Sequence, residues 1–281
     1  MAKEGTMLWK AGVALGSVLL TAVPVLFADL SQVSEPRTKS VAIENLTWLE
    51  AEKALKGYDV ALLAIGARTK EHGPHLPLKT DYILAEYLKD RVAREVPVAV
   101  FPTLEYGHYP AFVEYPGSVS IGADTFKNTV VDICRSIARH GPRKIYILNT
   151  GISTLPPLEV ASSELAKAGV VVRYLDLSGV DRKLPAGLLR QKGGTHADEA
   201  ETSMMLYIAP DVVDMSRAVK DLDARPGRKG LTRDPNGAGN FSPTGIWGDP
   251  TLATEDKGRV IVETTVVEIL RQVRELIGLM S

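Results

Sequence analysis

The chain has one cysteine, Cys134, in 281 residues. That excludes an internal disulfide and any cysteine-rich zinc site. Charge bias is also missing: 33 basic residues against 34 acidic ones leave a net charge of −1. Nucleic-acid binders carry a basic excess, so nothing here points to that class. No G-x-G-x-x-G or phosphate loop occurs, which argues against a nucleotide or dinucleotide enzyme. Ser162-Ser163 lacks the glycines of a serine-hydrolase elbow, and there is no internal repeat or low-complexity tract. What is present is ordinary for a globular chain: 45% hydrophobic and 24% charged residues, enough to bury a real core.

The N-terminus stands apart. Lys3 and Lys10 precede an uncharged run from Ala11 to Ala28, followed by Asp29. The pattern predicts a signal peptide over 1–28, cut after Ala28, and hence an exported, periplasmic protein. An uncleaved membrane anchor facing the periplasm is the competing reading, because 11–28 is near the lower length limit for a span. Residues 29–40 are polar, contain Pro36 and read as a linker. The membrane would be met only through this N-terminal segment.

From Val41 to the end, strands and helices alternate. Thr47-Trp48-Leu49-Glu50 is a capping box opening a short helix. Val60 to Ile65 and Lys144 to Leu148 are continuous apolar runs, the mark of strands covered on both faces. Further strands are expected at Val98 to Phe101 and Val170 to Leu175. Helices are expected at Asp81 to Arg94, Thr125 to Arg139, Leu158 to Ala168, Asp198 to Tyr207 and Glu255 to Leu279. The order implies parallel β-α-β units in an α/β domain over 41–281. In such sheets the ligand crevice lies beyond the carboxyl ends of the strands.

The chemistry concentrates there. Glu71 to Asp81 reads E-H-G-P-H-L-P-L-K-T-D, with two histidines and two acids directly after an apolar strand. Such a set can bind a metal, move protons, or both. Within it, His75 suits a structural role. Gly193 to Ser203 carries His196, Glu199 and Glu201. These offer a general base or a metal ligand, or simply an acid-rich helix start. Glu199 and Glu201 lie about 200° apart on an ideal helix, so both cannot enter one pocket. Tyr106, His108, Glu114 and Tyr115 sit in aromatic, turn-rich loops that could line a substrate pocket. Ala224 to Ser242 is glycine-rich and basic, a candidate mobile lid. Cys134 has apolar neighbours and reads as an inert buried thiol.

Taken together, several of these stretches resemble the creatininase (creatinine amidohydrolase) family, from about Thr47 to Ile277. The resemblance rests on H-G-P-H-L-P with Asp81 nine residues after His72, and on Tyr115-Pro116-Gly117-Ser118. It rests also on His196 to Ser203, and on Gly248-Asp249-Pro250 with Ala253 to Gly258. It implies a three-layer sandwich around a mainly parallel β-sheet and a homo-oligomer, often a hexamer. It also implies two divalent metals serving hydrolysis of a cyclic amide or other non-peptide C–N bond. The implied ligand set is incomplete. Where the family has a ligating Glu two residues before His72, this chain has Lys70. Where the family's Asn-Gly-His supplies an imidazole, this chain has Asn149-Thr150-Gly151, and the Glu two residues on is Ser153. The expectation is one divalent ion, zinc or manganese, on His72, Asp81 and Glu201, rather than two, or no ion at all with Lys70 standing in. Glu201 or Glu199 would act as base and His196 as acid, on a small polar molecule. A metal-free binding or scaffold protein of the envelope is the alternative.

Overall fold

A computed structural model describes residues 39–223 and 227–278. The proposed signal segment and most of the linker lie outside the described residues. Among the described residues, no helix is long and apolar enough to cross a membrane.

Five parallel strands form the central sheet: β1 (Val41–Ala42), β2 (Val60–Ile65), β3 (Ala99–Leu104), β4 (Lys144–Asn149) and β5 (Val171–Tyr174). Their order is β1-β3-β2-β4-β5. Successive side chains on a strand point to opposite faces, and here both faces are apolar. Val60, Leu62, Ala64, Tyr146 and Leu148 turn to one side, where α2 (Thr80–Glu95) and the closing α7 (Glu255–Ile277) cover them. Ala61, Leu63, Ile65, Ile145 and Ile147 turn to the other, against α3 (Ala123–His140) and α4 (Leu155–Lys167). The result is the expected three-layer α/β sandwich. Helix α1 (Trp48–Leu55) opens with the predicted capping box, with both Thr47–Glu50 bonds formed.

The chain leaves β2 toward β3 on one side and leaves β4 toward β5 on the other. The topological switch point therefore lies between β2 and β4, where a crevice opens. These two strands run level from Val60↔Lys144 to Ile65↔Asn149. Thr150 N–H then donates to the Ile65 carbonyl at 3.2 Å. That bond sets the loop after β4 beside the loop after β2, which carries Lys70 to Lys79.

Two boundaries differ from the sequence reading for clear reasons. Strand β3 continues through Pro102 to Leu104, because a register shift against β2 between Leu63 and Ile65 accommodates a residue that cannot donate. Helix α4 begins at Leu155, ahead of Pro156 and Pro157, since a first turn has no use for their missing N–H groups. The glycine-rich stretch contributes β6 (Leu231–Thr232) and β7 (Asn240–Phe241), paired in parallel. Between β5 and β6 lie α5 (Leu177–Asp181) and α6 (Glu199–Ile208).

Helix α6 packs against α7. The two cross at Gly258, where an added Cβ would come within 1.8 Å of the Ser203 carbonyl oxygen. Helix propensity alone favours alanine over glycine by about 1 kcal/mol. Forcing this crossing apart costs about 1–3 kcal/mol or more, and this outweighs it. Gly258→Ala is thus expected to lower the unfolding free energy in urea, despite improving the helix. A more stable variant would contradict the packing.

Candidate active site

Four elements converge on the switch-point crevice: the loop after β2, the first turn of α2, the segment before α6, and α6 itself. Asp81, in the first turn of α2, is buried. Its Oδ1 lies 3.1 Å from His72 Nε2. Its Oδ2 has no other polar partner and faces Lys70 Nζ at 2.7 Å. His72 Nδ1 lies 2.9 Å from the Lys70 carbonyl oxygen. Lys70 is thereby folded back over its own loop, with its ammonium 5.0 Å from the Phe112 ring centre and 5.5 Å from that of Tyr109.

His196 arrives from a different part of the chain. It forms an antiparallel bridge with Trp247 just before α6. Its Nε2 is 2.7 Å from Glu71 Oε1 and 3.0 Å from the Glu71 carbonyl. Its Nδ1 is 3.5 Å from Glu201 Oε2. The His72 and His196 rings stand 4.9 Å apart. The next residue, Ala197, is buried with φ of 47°. That left-handed turn costs energy in any residue but glycine. It aims the Ala197 N–H at Glu201 Oε2, 2.5 Å away. Gly245 is equally constrained, because a Cβ there would fall 1.9 Å from Glu71 Oε2.

Asp198 caps α6 by accepting from the Ala200 and Glu201 N–H groups, both at 3.0 Å. With the helix start fixed there, Glu199 and Glu201 diverge as the helical angle requires. Glu201 faces the crevice. Glu199 turns away, accepts from the Arg190 and Gln191 N–H groups at 2.8 and 2.7 Å, and pairs with Lys257. It is a structural anchor for the segment before α6 rather than a member of the site, which corrects its candidacy as a base.

A cavity of about 200 Å³ opens onto Lys70, His196 and Glu201. Tyr109, Phe112 and Trp247 form its aromatic walls, and Thr150, Ile152 and Ser153 close it from the loop after β4. None of the four predicted substrate residues lines it. Tyr106 is exposed. His108 bonds the Ile121 carbonyl and borders a separate hollow beside α3 and α4. Glu114 accepts from Thr232 Oγ1 and Arg233 N–H, which ties the β6–β7 segment down. Tyr115 donates to the Ser242 carbonyl. From the same aromatic loop it is Tyr109 and Phe112 that line the cavity. Gly230, Leu231 and Asn240 of the glycine-rich stretch complete the rim.

Burial acts on every charge here. It works against the Lys70 ammonium, but Asp81 and Glu201 outweigh it and hold the lysine pKa above its usual value. Burial likewise disfavours the Asp81 carboxylate, yet Lys70 and then His72 overcome this and keep it well below the usual range. For Glu201 burial prevails, with Asp81 and Asp198 adding to it, and the pKa is raised despite His196 and Lys70.

An α/β sandwich with an acid, two imidazoles and a lysine at the switch point of its sheet has the layout of an enzyme cleft. The creatinine amidohydrolase family model matches residues 44–273, and the chain belongs to that family. It is 31% identical over 262 residues to the creatinine amidohydrolase of Pseudomonas putida, covering 85% of this chain and 98% of that one. It is 29% identical over 210 residues to a mycofactocin precursor peptide peptidase of Mycolicibacterium smegmatis, covering 72% and 79%. A solved mutant creatininase described as Zn-Zn type superposes with a TM-score of 0.69 at 28% identity, over 85% of this chain and 99% of its own. A creatininase described as Mn gives 0.68 at 28% identity, over the same shares.

Metal is therefore the next issue. His72, His196 and Glu201 each bring one ligand atom within 4.8 Å of the others, which matches the three protein ligands of a catalytic zinc. Asp81, expected among the ligands, is instead held by Lys70 and His72. The bonds and the charge already in the site weigh against an ion there. Three of the four imidazole nitrogens meet oxygens of Lys70, Asp81 and Glu71 at 2.7–3.1 Å, only His196 Nδ1 is left toward Glu201, and the Lys70 ammonium shares the cavity. At about 4 Å and an effective dielectric near 20, an ammonium repels a dication by about 8 kcal/mol.

His75 is a spacer for this site. Its Nε2 is 2.8 Å from Thr202 Oγ1 on α6, joining the two halves of the crevice. Burial, then His72, lowers its pKa from 6.5 to about 4. It stays neutral in the folded protein while the unfolded chain takes up a proton. Its contribution is complete above pH 6.5 and is lost progressively as the pH falls toward 4. Thermal melts across that window should show His75→Gln losing less stability on acidification than the wild type. Equal slopes would contradict this assignment.

Proposed function

We propose that the protein hydrolyses an amide-type C–N bond in a small, flat, polar molecule such as a lactam or cyclic ureide. The observation that carries this is the convergence of Lys70, His196 and Glu201 on one aromatic-walled cavity. Its volume of about 200 Å³ is below the roughly 300–1,000 Å³ of sites for drug-sized ligands. Tyr109, Phe112 and Trp247 suit the face of a planar ring. The relatives named for creatinine and for a precursor peptide both point to amide-type bonds, and the small cavity favours the smaller substrate.

The residues divide the chemistry as follows. The substrate carbonyl oxygen points to Lys70 Nζ, which stabilises the charge that builds there. Glu201, with its raised pKa, takes a proton from the attacking water. The tetrahedral carbon then releases nitrogen, and the C–N bond breaks. The proton from water passes from Glu201 to the leaving nitrogen through His196, whose Nδ1 is 3.5 Å from Glu201 Oε2. Asp81 and His72 keep Lys70 in place and do not touch the substrate. The positive n-region and apolar run of the N-terminus support export of this activity to the periplasm, as a homo-oligomer like that implied by the family resemblance.

The test is a panel of lactams, cyclic ureides and linear amides assayed with the full-length protein. Glu201→Gln is expected to lower kcat by about 10²–10⁴-fold, and His196→Asn by a similar factor, with melting temperatures little changed. Tyr106→Ala and His108→Ala should stay within about twofold of wild type. Undiminished turnover in Glu201→Gln, or no turnover of any panel member by wild type, would overturn the assignment.

A further inference from the structure

We propose that the Lys70 ammonium is the resident cation of this site, standing in the place of a divalent ion, so that the protein keeps no tightly bound metal there. The inference concerns the cation alone. It holds or fails independently of whether the cavity hydrolyses the bonds proposed above.

Three observations support it. First, the lysine is built in. Its side chain is 5% exposed, its ammonium lies 2.7 Å from Asp81 Oδ2, and the Phe112 and Tyr109 rings face its other side. A buried carboxylate and two ring faces are what a fixed cation needs.

Second, most of the atoms that could bind an ion are already engaged, and the imidazole nitrogen left over is His196 Nδ1, 3.5 Å from Glu201 Oε2. A metal takes an imidazole nitrogen by its lone pair. His72 presents its nitrogens to the Lys70 carbonyl and to Asp81 Oδ1, and His196 Nε2 meets two oxygens of Glu71. Glu201 Oε2 accepts from the Ala197 N–H. Ala197 holds a left-handed backbone to make that bond. Strained backbone thus holds the carboxylate oxygen that an ion would need.

Third, the wall formed by the loop after β4 offers Thr150, Ile152 and Ser153. It has no imidazole or carboxylate with which to complete a coordination shell. The related structures described as Zn-Zn type and Mn thus mark a difference in cation, reached here by covalent means.

The experiment is metal analysis and thermal melting of the full-length chain, with zinc and manganese as probes. Wild type should carry less than about 0.1 ion per chain. Its melting temperature should move by less than about 1 °C with EDTA or with excess zinc. Lys70→Glu exchanges the ammonium for a carboxylate beside Asp81. It should bind zinc, with melting raised by several degrees in zinc and lowered again by EDTA. Lys70→Gln removes the cation without adding a ligand and should show the same response, but smaller. It serves alone if Lys70→Glu cannot be purified. One or more tightly held ions in wild type, with melting lowered by EDTA, would overturn the proposal. So would zinc responses of the Lys70 variants that match wild type.

Discussion

The buried pair of Lys70 and Asp81 is the contact on which the site depends. Two charges taken out of water cost several kcal/mol each, and only close pairing with further hydrogen bonds repays that. Asp81 obtains this from Lys70 at 2.7 Å and His72 at 3.1 Å. The lysine obtains it from Asp81, from two aromatic faces and from the field of Glu201. Remove either member and the other is left charged in a dry cavity. The pair also fixes direction. It holds the ammonium against the cavity, where a polarised carbonyl of a bound molecule can meet it.

The fold supplies this pair with its setting. Strands β2 and β4 run level and end together, so the loops that follow them are neighbours. Helix α2 begins where the loop after β2 turns back, which places Asp81 under Lys70. Helix α6, clamped by α7 at Gly258, presents Glu201 from the opposite side. Trp247 and His196 are joined by a backbone bridge, which sets one aromatic wall of the cavity beside the imidazole. Family membership accounts for the scaffold.

The sheet and its helices were legible in the sequence because each obeys a local rule. Unbroken apolar runs gave β2 and β4, and the capping box gave α1. The divergence of Glu199 and Glu201 followed from helix geometry alone. What was not legible depended on long-range contacts. The burial of Glu199 against Lys257 links positions far apart in the chain, so no local pattern reveals it. The substrate wall was assigned to Tyr106, His108, Glu114 and Tyr115. Yet Tyr109 and Phe112 face inward, because the Ser120 side chain and the short helical turn at Pro110–Phe112 set that loop's direction. The engagement of Asp81 with Lys70 shows only when both side chains are placed.

A crystal structure grown in zinc or manganese, with anomalous scattering recorded at the metal edge, tests the central claim most directly. The account predicts no anomalous peak among His72, His196 and Glu201, with the Lys70 ammonium in density against Asp81. A strong peak there, with the Lys70 side chain displaced from Asp81, would contradict it.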